Sequence, residues 1–234
     1  MGTYNQSLAH DYLNGHVLDN HHRLILDGLL ARFGVSVGGR VIEIGAGSGR
    51  YTEALLARGL EVTVIEPDVE LLERLRRRLG DRPELTIRDV TVADCGDAFA
   101  DAHLICGFHV LHHLSKRELG ALRAKLDQCA NDVHRTFNGW FFLEPNPVNP
   151  LYPLQITLSR AMRWREERGI WTNDYAILSR DGHAVPRLGN VGLFPPRPWV
   201  ARLPEGLLRS GAVLSRHRSP IHCYTVYGEV SSRG

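Results

Sequence analysis

"VIEIGAGSGRYTEALLARG" spans residues 41–59. An apolar, β-branched run leads into glycines at alternate positions, Gly45, Gly47 and Gly49. A helix-forming stretch follows, with Gly59 just past its end. Glu43 lies two residues before the first glycine. Glycine tolerates positive φ and lets backbone N–H groups approach a ligand closely, so a strand–turn–helix of this kind is a ligand cradle. In a parallel sheet such cradles lie beyond the carboxyl ends of the strands.

The flanking sequence supplies the sheet. Residues 19–33 read as an amphipathic helix, with Leu26, Leu29, Leu30 and Phe33 at helical spacing and Gly34 as the stop. After the opening strand come "EVTVIEP" as a second strand and "DVELLERLRRRLG" as a helix, with Asp68 at its start and Gly80 at its end. "ELTIRDV" and "DAHLICGF" read as strands three and four, then a helix starts at Ser115, whose S-x-x-E pattern with Glu118 is a capping box. "GWFFLEP" is a fifth strand. Strands alternating with helices predict a mainly parallel sheet covered on both faces. Beyond Pro145 the texture changes: nine of the twelve prolines lie between 145 and 204. "LQITLSRAMRWREERG" reads as one helix, "LFPPRPW" as irregular, and "HCYTVYGEV" as a last strand returning to the sheet. One domain is expected over 1–234: an N-terminal helical cap (1–35), a ligand-binding core (40–145), a lid insertion (146–200) and final strands (201–234).

Composition bounds the function. The chain is 43% hydrophobic and 23% charged with a net charge of +2, too slight a basic excess to argue for nucleic acid. The cysteines Cys95, Cys106, Cys129 and Cys223 form no C-x-x-C pair, which speaks against a cysteine zinc site or a disulfide framework. The first residues, "MGTYNQSLAHDYLNGH", lack the apolar core of a signal peptide, and no stretch has the ~18 apolar residues of a membrane span. A soluble cytoplasmic protein is expected.

Two ligand classes are disfavoured by the loop itself. A dinucleotide fingerprint, G-x-G-x-x-G, needs glycine where Arg50 stands, and the Gly-Lys-Ser/Thr of a phosphate-binding P-loop is absent. The order Glu43-Ile44-Gly45-Ala46-Gly47-Ser48-Gly49 resembles the first motif of the class I, Rossmann-like, S-adenosylmethionine-dependent methyltransferases, and the resemblance extends from about Val41 to Glu144. It implies a three-layer α/β sandwich around a mainly parallel seven-stranded sheet with an antiparallel last strand. It implies a loop packed against the methionine part of the cofactor, with Glu43 near the amino group. The charge fits: the cofactor carries a sulfonium and an ammonium but no phosphate, so a carboxylate attracts it and would repel a pyrophosphate. By the same resemblance, Glu66 (followed by Pro67) holds the ribose hydroxyls, Asp89 and Val90 receive the adenine, and Gly107 offers a backbone carbonyl.

"FHVLHHL" (108–114) follows the fourth strand. His109, His112 and His113 share a face if the turn is helical, and a neutral imidazole has a suitable pKa to take a proton from an acceptor hydroxyl. A segment of this kind also occurs in the family whatever the substrate, which makes a purely structural His113 the competing reading. Ubiquinone-type O-methyltransferases resemble this stretch with acids at the places of His109 and His112 and hold a divalent ion there. The expectation here is no metal, with zinc, nickel or iron at the three imidazoles as the alternative.

The lid aromatics Tyr152, Trp164, Trp171, Tyr175 and Trp199 are candidates for an apolar slot that takes a ring-bearing acceptor, or else fillers of the added lobe. Arg160, Arg163, Arg165 and Arg168 lie along the one predicted helix. Tyr4, His10, Tyr12 and His16 are substrate-facing candidates if the N-terminus folds over the site. "EPNPVNP" follows the fifth strand, whereas the resembling N-P-P-Y motif of amino-methylating DNA enzymes follows the fourth, so nucleic acid is not the expected acceptor. Together these readings predict transfer of a methyl group to a small molecule, at a hydroxyl oxygen. The alternatives are N- or C-methylation, or a non-catalytic protein that binds the cofactor.

Overall fold

Asp19 opens helix α1 (Asn20–Arg32): its carboxylate accepts the His22 N–H at 2.9 Å, meeting one of the orphan donors of a helix start. The helix buries Ile25, Leu26, Leu29 and Leu30, and Gly34 ends it at φ 60°. The computed structural model describes residues 18–231 apart from 133, 135, 159–161, 173, 180–183, 196 and 197. Tyr4, His10, Tyr12 and His16 therefore lie outside the described residues, as does Arg160.

From there the chain alternates. Strands β1 (Arg40–Ile44), β2 (Glu61–Ile65), β3 (Leu85–Arg88), β4 (Leu104–Phe108) and β5 (Gly139–Pro145) are separated by α2 (Arg50–Leu56), α3 (Val69–Leu79) and α4 (Lys116–Asn131). The sheet has seven strands in the order β3-β2-β1-β4-β5-β7-β6. The first five are parallel to one another, and β7 (Tyr224–Val230) runs antiparallel between β5 and β6 (Arg187–Val191). This is the Rossmann-like α/β sandwich expected from the sequence.

Central strands sandwiched by helices must be apolar on both sides, and β4 and β5 are buried at every position. One core lies under α1, α2 and α3, where Leu26, Leu55, Leu72 and Leu75 meet Phe141. The other lies under α4, where Leu119 and Leu122 meet Ile105 and Phe142. In α3, Asp68 caps Glu70 and Leu71 N–H, and Leu71, Leu72, Leu75 and Leu79 form the buried stripe. Each such leucine contributes about 2 kcal/mol. The Ser115–Glu118 capping box of α4 is formed reciprocally.

Three expectations for the region after Pro145 need correcting. Strand β6 lies inside the segment assigned to the lid. "RLGNV" shows no alternating pattern, and the strand exists because it pairs with β7 at the sheet edge, across an irregular register between Arg187 and Gly189. The single helix over 154–169 is instead two, α5 (Leu151–Leu158) and α6 (Trp164–Glu167), with Arg163 extended between them. The break lets Ile170 fold back onto Tyr152 and Ile156, and it removes the common helix face proposed for the arginines. The last helix, α7 (Glu205–Gly211), was not foreseen.

The aromatics also divide. Tyr152 and Tyr175 are buried, whereas Trp164, Trp171 and Trp199 are 50%, 40% and 50% exposed. Among the described residues, no helix is long and apolar enough to cross a membrane, and the four cysteines form no disulfide.

Candidate active site

Strand register brings the expected cofactor residues to one edge. Ile44 pairs with both Ile65 and Gly107, and Ile65 pairs with Arg88. The residues next along the chain, Gly45, Glu66 and Asp89, therefore leave the sheet together at its carboxyl end. Gly45, Gly47 and Gly49 all have positive φ, at 67°, 56° and 81°. Their reasons differ. A Cβ on Gly45 would lie 2.3 Å from Val110 Cγ2, so this glycine is a close-packing device. At Gly47 an added Cβ would meet no protein atom within 4 Å, so the space in front of that residue is open.

Glu66 ties the loop to the second strand. One of its carboxylate oxygens accepts the Gly47 N–H at 2.9 Å, the other the Asp68 N–H at 3.1 Å. Burial raises its pKa, against those two hydrogen bonds, and the nearby charges of Asp68 and Asp89 add to the rise. Glu43 is 1% exposed and accepts the Thr52 hydroxyl at 2.6 Å. Burial pushes it up to about 7, with repulsion from Glu66 adding to the shift and the Thr52 bond opposing it. The Arg78 charge also opposes the rise, and a cation beside this carboxylate would favour its ionised form.

The other expected positions differ in burial. Asp89 is exposed at the end of β3, and Val90 and Ala46 are half-buried. Pro67 is exposed. Gly107 is glycine for packing: a Cβ there would sit 2.6 Å from the Phe142 ring and 2.7 Å from Val110.

The turn after β4 is built differently. His109 has φ 57°, the one positive value at a non-glycine among the described residues, and its N–H donates to the Leu143 carbonyl at 2.8 Å. The turn is not helical at that point. A 3₁₀ turn covers Leu111–His113 only, so the three histidines do not share a face. The His109 ring packs edge-on to Tyr224, centroids 5.2 Å apart. Tyr224 in turn bonds His22 Nε2 at 2.7 Å, and His22 Nδ1 lies 2.8 Å from Asp19. Burial holds the His109 pKa well below its ordinary value, and the Arg50 charge lowers it further. His109 is a neutral imidazole at physiological pH.

His112 has the opposite state. Its Nδ1 donates to Glu144 at 2.5 Å, and its Nε2 lies 3.4 Å from Glu167. Desolvation works against its charge, but the two carboxylates outweigh it and hold the pKa at about 9. A group already protonated at neutral pH cannot take a proton, so the base role expected of His112 does not fit its surroundings. His113 is exposed, its ring centroid 3.9 Å from that of His112. Its expected structural place beneath the sheet is therefore not the one it takes.

Glu144 and Glu167 went unnoticed in the sequence. Glu144 is fully buried; one oxygen accepts the Val110 and Leu111 N–H groups at 2.8 and 2.9 Å while the other takes His112. An acid closing an otherwise apolar buried strand was the available signal. Glu167 is 4% exposed and accepts the Tyr152 hydroxyl at 2.5 Å. Nothing local distinguishes it from its exposed neighbours.

Comparison with known proteins agrees with this geometry. Residues 42–134 match the family model described as methyltransferase domain. Ribosomal RNA small subunit methyltransferase A of Anaeromyxobacter sp. (strain K) is 38% identical over 76 residues, 32% of this chain and 27% of that protein. The enzyme of the same name from Cupriavidus pinatubonensis is 45% identical over 56 residues, 24% of this chain and 20% of that one. The chain thus spans about a quarter of the length of these curated relatives. Their names lend no support to the expectation that nucleic acid is excluded as acceptor. The methyltransferase domain of bacterial CtHen1 superposes with TM-score 0.56 at 16% identity, covering 92% of this chain and 100% of that one. A chain from the complex between the Haloferax volcanii Trm112 methyltransferase activator and the putative methyltransferase gives TM-score 0.55 at 15% identity, covering 99% and 98%. Both likenesses concern the fold. Residues 42–134 are thus similar to a methyltransferase domain, and the seven-stranded sheet around them has the Rossmann-like strand order.

Proposed function

We propose that the protein is a cytoplasmic enzyme that moves a methyl group from S-adenosylmethionine to the hydroxyl oxygen of a small molecule, with His109 as proton acceptor. The observation that carries the reading is the open space at Gly47, whose N–H is held by the buried Glu66 carboxylate, with the buried Glu43 carboxylate near enough to Glu66 to repel it. That cradle suits a cation without phosphate. Glu43 would face the ammonium, the two oxygens of Glu66 the ribose diol, Asp89 and the Val90 N–H the adenine, and the Ala46–Gly49 backbone the methionine chain, beside Gly107. The bound cofactor supplies an electrophilic methyl carbon, and placement of acceptor against donor is most of the catalysis.

His109 stands at the end of β4 with a ring that is neutral where its neighbour His112 is charged. As the acceptor oxygen bonds to the methyl carbon and the carbon–sulfur bond breaks, the hydroxyl proton passes to a His109 ring nitrogen. The exposed rings of Trp164 and Trp171, centroids 5.8 Å apart, offer a surface on which a ring-bearing acceptor stacks.

The test is turnover of methyl-labelled cofactor with a panel of phenols, sugars, amines and ribosomal RNA. Label on a phenol or sugar oxygen is the expected result. Label on RNA or on an amine alone overturns the acceptor assignment, and cofactor binding with no label on any acceptor favours a non-catalytic protein.

A further inference from the structure

The turn after β4 and the lid segment meet at one carboxylate, and the methyl-transfer reading uses none of the groups that meet there. One ligand-type atom each from His112, His113 and Glu167 lie within 4.8 Å of one another. His112 Nε2 is 3.4 Å from Glu167 Oε2, about the separation of two ligands on one small ion. The outer partners are already built. Glu144 takes the His112 Nδ1–H at 2.5 Å and is itself pinned by the Val110 and Leu111 N–H groups, which directs Nε2 toward Glu167. The Tyr152 hydroxyl, at 2.5 Å, fixes Glu167. A carboxylate behind a ligating imidazole and a hydroxyl behind a ligating carboxylate are the supports metal sites employ.

Access is provided too. His113 is exposed, so one side of the cluster opens to solvent. The backbones approach closely beside it: a Cβ on Gly169 would lie 2.4 Å from the His112 carbonyl oxygen. His109 is not a member, because its ring packs on Tyr224.

We propose that His112, His113 and Glu167 bind one divalent transition-metal ion, zinc first, which displaces the His112 Nε2 proton to solvent and fastens the lid segment to the turn after β4. Two imidazoles and one carboxylate suit zinc, whereas magnesium and calcium want oxygen ligands. Three protein ligands leave a fourth tetrahedral position for water or for an acceptor oxygen. The inference stands apart from the methyl-transfer reading, since it is read by metal uptake and not by turnover.

The experiment uses the full chain, stripped with chelator, dialysed against zinc chloride and analysed for bound metal and for zinc affinity. Wild type is expected to retain one zinc per chain, and its cobalt(II) form to show the visible absorption of a tetrahedral site. His113→Ala and Glu167→Gln should weaken zinc at least about tenfold, while His109→Ala keeps it. S-adenosylhomocysteine affinity should be unaltered in all of them. His113 is exposed, so its replacement leaves the fold intact and decides the matter. Wild type that retains no zinc, or His113→Ala that retains it undiminished, overturns the proposal, whatever the cofactor result.

Discussion

The turn after β1 and the turn after β4 occupy equivalent places, each leaving a central parallel strand at its carboxyl end, and each bends through positive φ. The first does so with glycines and leaves the space before Gly47 open. The second does so with His109, and its Val110 and Leu111 N–H groups are consumed by Glu144. An open backbone loop beside acids suits a ligand; a turn clamped by a buried acid holds side chains in fixed attitudes. On the proposed reading one turn serves binding, the other positioning. That contrast explains why neighbouring histidines differ in charge: His109 sits against Tyr224, His112 between two carboxylates.

The largest effect that tests the contrast is on rate. His109→Ala should slow turnover by about 10²–10⁴-fold while S-adenosylhomocysteine affinity stays within a factor of about two by titration calorimetry. Turnover equal to wild type would break the positioning half of the comparison.

For the binding half, Gly47→Val should weaken the cofactor by roughly 100-fold, equivalent to about 2.7 kcal/mol. No protein atom blocks the side chain, but at φ 56° valine is strained, so a Tm lowered by a few degrees is expected alongside. Gly45→Ala is the counterpart: its Cβ would enter Val110, and the loss should appear in stability, by about 1–3 kcal/mol.

Glu43 links the turn to pH. Its folded pKa of about 7 lies above the unfolded value of 4.5. The native state therefore binds more protons than the unfolded state between those values, and Glu43 withdraws stability as pH rises through that window. Glu43→Gln should raise Tm at pH 8 by about 5 °C, for about 2 kcal/mol, and do little below pH 4.5. The same variant should bind cofactor about tenfold more weakly, since a charge-assisted contact is lost. In wild type, cofactor affinity should rise with pH toward neutrality, with protons released on binding. Unchanged Tm and affinity in the variant would remove Glu43 from the site.

The smallest effect is a control. Ser115→Ala removes the capping box just beyond the histidine turn and should cost about 1 kcal/mol, some 3 °C in Tm. Turnover should be unaltered at 25 °C, showing that the chemistry of the turn does not depend on the stability of the helix after it.

Much of this was legible in the chain. Glycines at alternate positions after a β-branched run, acids at three successive strand ends and caps at Asp68 and Ser115 are local signals, set by φ preference, hydrogen-bonding capacity and the alternation of strand and helix. They determined the sheet through β5 and the side of it on which the cofactor loop lies. What they left undetermined depends on residues distant in sequence. Strand β6 acquires its conformation from pairing with β7, and the helix of 154–169 breaks because Ile170 gains burial against Tyr152 and Ile156. The charge states of His109 and His112 come from Tyr224, Glu144 and Glu167. Local bonding is written residue by residue, whereas burial and pKa are properties of neighbours that only the packed chain brings together.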